Sequence, residues 1–147
     1  IVKNIYHALC QLDSIHQAYY AHRLDSVTAL IRETEQQMQT LMKDADRTFL
    51  IYHPALTYFA RDYNLQQISI ENNGKEPTPA HLQSLIRTSR ENKARVIFVQ
   101  QEFDQRNAET IAKELNVSVV PIHPLSYNWQ AEMIKIARAL NHNLKTE

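Results

Sequence analysis

The sequence predicts an α/β fold: a long N-terminal helix followed by a four-stranded parallel sheet flanked by helices. Three observations lead there. Residues 15–43 carry apolar side chains at helical spacing with neither Gly nor Pro among them. After Asp46 the period changes to short β-prone runs. Each run is followed by a helical stretch of the length that crosses back over a sheet, which favours right-handed βαβ units.

In chain order, Ile1, Ile5, Ala8 and Leu9 give residues 1–12 a helical pattern, and Leu12-Asp13-Ser14 reads as a break and a new cap. The long helix then carries Ile15, Tyr19, Val27, Leu30, Ile31, Met38, Leu41 and Met42. At 1.5 Å per residue it would span ~45 Å, more than one small domain needs, so it is expected to brace or connect two bodies. The domains expected are therefore a helical segment over 1–45 and an α/β lobe over 46–147. Strands are expected at 48–52, 65–70, 96–99 and 117–122. Helices are expected from Ala55 to Tyr63, from Thr78-Pro79 (carrying Leu82, Leu85 and Ile86), after an Asp104 cap, and after a Ser126 cap with Trp129, Met133, Ile136, Ala137 and Leu140 on one face. Asn72-Asn73-Gly74 signals a turn at the chain's one glycine.

Charge is balanced, with 16 basic and 16 acidic residues, which argues against a nucleic-acid partner or an anionic-membrane surface. No apolar run approaches the roughly 20 residues of a membrane span. The sole cysteine, Cys10, excludes an internal disulfide framework and reads as a small apolar helix residue. The chain begins Ile1-Val2 with no targeting segment, as a mature or trimmed product would.

Ligands of an open parallel sheet bind at the carboxyl ends of its strands, so the residues there matter most. The first strand ends at His53-Pro54 and the fourth at His123-Pro124. Proline fixes its own φ and restricts the residue before it, holding each imidazole stiffly. Imidazole suits zinc and similar metals, and two of them could form half of a tetrahedral site. Equally, each could be an ordinary loop residue, and their wide spacing leaves both readings open. His16 and His22 do not share a helix face well, and His7, His81 and His142 read as solvated helix positions. Enzyme signatures are missing: no Gly-rich phosphate loop, no G-x-S-x-G, no H-E-x-x-H. No acidic residue is read as ending a strand. Glu102 and Asp104 lie beyond the third strand, where Asp104 serves as a cap, and Tyr52, Tyr58, Phe59 and Tyr63 are spaced for a core.

Several segments together resemble the zinc- and manganese-binding solute receptors of bacterial ABC importers. They are Asn4-Ile5 with Ala8-Leu9, Leu12-Asp13 and Tyr20; Phe49-Leu50-Ile51-Tyr52-His53 with Tyr58-Phe59-Ala60 and Tyr63; Glu76-Pro77-Thr78-Pro79; Ile97-Phe98-Val99 through Phe103 with Ala108 to Ala112; and His123-Pro124-Leu125, where the family usually has Asp-Pro-Leu. The resemblance implies the C-terminal lobe and spine helix of a two-lobed extracytoplasmic receptor, periplasmic or lipid-anchored. It implies His53 and His123 as the metal ligands of this lobe. Replacing the family's aspartate by His123 favours zinc over manganese, the alternative metal. Gln100 stands where many relatives have glutamate, which removes a supporting carboxylate.

The expected function is thus capture of a divalent metal, most simply zinc, and its delivery to an ABC permease in the membrane, with no catalysis. The first lobe, which would supply further histidines, precedes Ile1, so the chain is expected to be a fragment presenting at most a half-site. A competing reading is an adhesion or scaffold protein on the same fold with a degenerate metal site.

Overall fold

The computed structural model describes residues 1–72, 74–103 and 105–141. Two compact units follow one another, Ile1–Gln39 and Thr40–Glu147.

The first unit is helical. Helix α1 (Val2–Leu12) stops where Asp13 takes an extended backbone, and a 3-10 turn over Ser14–His16 leads into α2 (Gln17–Leu41). The break expected at Asp13 is real and has a visible cause. Its carboxylate accepts from Tyr20 Oη and pairs with His16 Nδ1, each at 2.8 Å, so one side chain ties the turn to the first turns of α2. Both contacts favour the ionised carboxyl, His16 foremost, and hold its pKa below the usual carboxylate value. Tyr20 is pushed up by the same bond. The long helix covers 25 residues, about 38 Å at 1.5 Å per residue, and a 3-10 turn over Met42–Asp44 ends it. No side chain of α1 is buried.

The second unit is a parallel sheet of four strands: β1 (Thr48–Ile51), β2 (Gln66–Ser69), β3 (Val96–Gln100) and β4 (Ser118–Ile122). They are ordered β2-β1-β3-β4. Helices α3 (Thr57–Asp62), α4 (Pro79–Glu91), α5 (Arg106–Leu115) and α6 (Trp129–Leu140) alternate with them. The central strands are the continuous apolar runs, as burial on both faces requires. Phe49, Leu50, Ile51, Ile97, Phe98 and Val99 are each wholly buried, and Phe49 meets Phe98 edge to face at 5.4 Å. The edge strand β4 tolerates Pro121, because an edge strand has a side with no ladder for the missing donor to break.

Local chemistry sets most element ends. Thr78 caps α4 by accepting from His81 N, with Pro79 in the first turn. With one glycine in the chain, the left-handed residues that close helices are Asn64 and Asn116, plus Lys93; asparagine bears that conformation better than most side chains. The α6 cap differs from expectation. Asn128 caps it by accepting from Ala131 N, while Ser126 Oγ accepts from Asn128 N one turn earlier. Trp129 opens the helix and stays partly exposed, while Ile136, Ala137 and Leu140 carry its buried face. His81, expected to be solvated, is half-buried. Asp104, Asn73 and His142 lie outside the described residues; α5 begins after Gln105, which makes no side-chain cap.

Two outcomes follow from this packing. Phe98→Ala removes a ring buried in the centre of the sheet and should cost about 3–5 kcal/mol of stability, whereas Tyr127→Ala, on a fully exposed ring, should stay within about 0.5 kcal/mol; urea unfolding compares the two. An NMR titration of the Asp13 carboxyl should find its midpoint below the ordinary aspartate value. His16→Ala should move it back up further than Tyr20→Phe. The sign is that of a depressed acid: the contacts help the fold above the unfolded pKa and fade as pH falls through the folded one.

Candidate metal centre at the carboxyl edge of the sheet

The strand order creates one place where the chain changes direction. From β1 it runs out to β2, then returns past β1 to β3 and on to β4. The connections after β1 and β3 therefore part at the carboxyl edge between these neighbours, the point at which open α/β sheets form a crevice. His53 follows β1 and Gln100 closes β3, so both stand at that point.

Register fixes their levels. Ile51 pairs with Phe98 and Ser69, and Gln100 with Ile122. Counting on by two places His53, Glu71 and Gln100 at one height across the edge, with His123 one residue beyond Ile122. The Glu71 and Tyr52 main chains continue the ladders, Glu71 N donating to Tyr52 O and Tyr52 N to Phe98 O.

His53 is held from three sides. Gln100, only 1% exposed, turns its amide to the His53 main chain: Nε2 donates to His53 O at 2.7 Å, and His53 N reaches Gln100 Oε1 at a long 3.4 Å. The imidazole stacks on Phe103, ring centres 5.7 Å apart, and Phe103 rests in turn on Tyr52. Its Nδ1 lies 2.9 Å from Glu71 Oε1. The Glu71 side chain is 9% exposed against 49% for His53, so the carboxylate is the fixed member and the ring the accessible one. Beyond His53, Ala55 N donates to His53 O, and Gln67 pins the following loop by accepting from Leu56 N and donating to Thr57 Oγ1.

His123 is anchored by its main chain. His123 N donates to Glu132 Oε2 at 3.1 Å, and Ser126 N closes a turn onto His123 O. Its residue is exposed. The two histidines share the edge, but β3 stands between their strands, about two strand spacings or ~10 Å. Among the described residues no three His, Cys, Asp or Glu side chains gather as a metal cluster.

Glu71 corrects the sequence reading, which saw no acid ending a strand and no carboxylate to support His53. The signal was present: Glu71 follows Ile70 at the end of the second β-prone run, as His53 follows the first. What hid it was Gln100. An amide stands on β3 where the resemblance implies a glutamate, and the carboxylate comes instead from the end of β2, 18 residues on from His53.

The family model of the zinc-uptake complex component A, periplasmic (ZnuA), matches residues 1–146. The metal ABC transporter substrate-binding lipoprotein of Lactococcus lactis is 25% identical over 80% of this chain and 39% of its own length. The high-affinity zinc uptake system protein ZnuA of Bacillus subtilis is 26% identical over 84% of this chain and 40% of its own. The chain thus spans less than half the length of these curated relatives. A crystal structure of ZnuA superposes with a TM-score of 0.86 at 32% identity, covering 92% of this chain and 53% of that one. A zinc-bound ZnuA deletion mutant gives 0.83 at 33% identity, over 95% and 55%. The chain belongs to the ZnuA family, the periplasmic component A of zinc-uptake complexes.

Proposed function

We propose that this chain is the metal-holding half of an extracytoplasmic receptor that captures a divalent transition metal, zinc foremost, and passes it to an ABC permease. One observation carries the reading: His53 Nδ1 against the nearly buried Glu71 carboxylate. A carboxylate that accepts the Nδ1 proton fixes the tautomer and leaves the Nε2 lone pair for a metal. The stack on Phe103 sets the ring plane, so the lone pair is presented with little rotational freedom left to lose. His123 is the second ligand of this reading. Two imidazole arms and two Zn–N bonds of about 2 Å each span the gap set by β3.

Nitrogen donors in place of a carboxylate suit zinc better than manganese, which prefers oxygen. Manganese remains the alternative metal; a related periplasmic metal-binding protein of Candidatus Liberibacter asiaticus was solved with it, at a likeness of 23% identity that bears on fold alone. The remaining ligands of a four-coordinate ion would come from the other part of a full-length receptor, as the relatives' greater length suggests. The task we read is transport, the work of the zinc-uptake family to which the chain belongs. Among the described residues no helix is long and apolar enough to cross a membrane.

Calorimetric titration of zinc into the chain tests this. The chain should bind one zinc weakly, His53→Ala and His123→Ala should each abolish most of the heat, and Glu71→Gln should weaken binding by about 10–100-fold. Protons compete with the metal for the same lone pairs, so affinity should fall as pH is lowered. Equal heats for all four proteins would sink the receptor reading and leave the fold as an adhesion or scaffold body.

A further inference from the structure

The opposite, amino-terminal edge of the sheet holds an open cleft of about 1580 Å³. It lies between the start of β3 and β4, the end of α4 and the outer face of α6, well away from His53. Its floor is apolar, made by Val96, Val117, Val120 and Ile134, and its rim is cationic. Arg90, Lys93, Arg95, Lys135 and Arg138 stand against one acid, Asp46. In a chain whose charges balance at 16 and 16, five cations to one acid around one concavity is a local segregation of charge.

Helix ends account for part of it. Arg90 and Arg138 lie in the last turns of α4 and α6, where a cation is favoured by the helix dipole. Arg90 reaches across to Glu114 O. That account does not cover the rest. Arg95 leads into β3 and is still 63% exposed despite Asp46 at 3.8 Å, and Lys135 lies within α6, loosely paired with Glu132 at 3.6 Å. Lys93 takes φ 55, a left-handed backbone that glycine or asparagine adopts more easily. Neither Lys93 nor Arg138 has a side-chain ion pair among the described residues.

We propose that this cleft docks an acidic polypeptide segment bearing apolar side chains. The volume exceeds the roughly 300–1,000 Å³ that encloses a small molecule. A flat lipid surface would meet the rim cations without reaching the floor. A peptide segment does both, seating apolar side chains on Val117, Val120 and Ile134 while its carboxylates meet the rim. Such a surface sits at the far end of the lobe from His53, so a partner held there leaves the histidine edge open.

The test is fluorescence anisotropy of a labelled octapeptide of alternating Glu and Leu, titrated with the whole chain at low salt. Saturable binding is expected, weakening several-fold or more between about 50 and 300 mM salt as the rim charges are screened. Arg95→Glu with Lys135→Glu should weaken it about tenfold or more, and so should Lys93→Glu with Arg138→Glu. Lys113→Glu, on the exposed face of α5 away from the cleft, should leave it unchanged. Circular dichroism melting shows that each variant is folded; the second reversal pair stands in if the first is not. No saturable binding, equal loss with Lys113→Glu, or tighter association with phosphatidylglycerol vesicles than with the peptide would overturn the proposal.

Discussion

The amide of Gln100 is the interaction on which the candidate metal edge depends. It is buried at the end of β3, beside the place where the chain changes direction, and its Nε2 binds the His53 carbonyl at 2.7 Å. The β1–β3 ladder has ended by that level, so a side chain extends the pairing by one residue where the main chain no longer does. A buried donor and acceptor matched in this way fix geometry because leaving either unmet is costly. A glutamate at 100 would offer no donor to the His53 carbonyl at neutral pH and would bury a charge. An amide holds the main chain; a carboxylate is then needed elsewhere to hold the ring, and Glu71 on β2 supplies it.

That division of labour explains why β2 matters to a site built at the β1–β3 boundary. Parallel register puts the residue two beyond Ile51 level with the residue two beyond Ser69, so His53 and Glu71 meet without any special loop. Phe103, arriving from the β3 side, closes the other face of the ring. The ring is thus oriented by three strands' ends, while His123, from the far edge strand, is held among the described residues through its main chain. The proposed ligands are therefore unequal: one comes preset, and the other adjusts to the ion.

Much of this was legible in the sequence because the signals were local. The four β-prone runs, the Thr78-Pro79 cap and the break at Asp13 each rest on neighbours within a few residues. The strand order was not legible from local pattern, and with it went the link between His53 and Glu71, which depends on which strands lie side by side. The long helix shows the same boundary. Its lack of Gly and Pro foretold one long helix, but the α-helix is shorter than the ~45 Å expected because 3-10 turns take both ends. Ile15, in the first of those turns, and Tyr19 remain exposed: an apolar stripe states what a helix would bury, not what is there to cover it. The cationic cleft was invisible for a similar reason. Its five cations come from α4, the loop after it, the entry to β3 and α6, and the overall balance of charge conceals their gathering.

The most direct measurement of the central claim is a long-range 1H–15N NMR spectrum of the 15N-histidine-labelled chain at neutral pH, before and after zinc. With Glu71 holding the ring as described, His53 should carry its proton on Nδ1, and zinc should move the Nε2 resonance alone. A proton on Nε2, or zinc acting at Nδ1, would contradict the account.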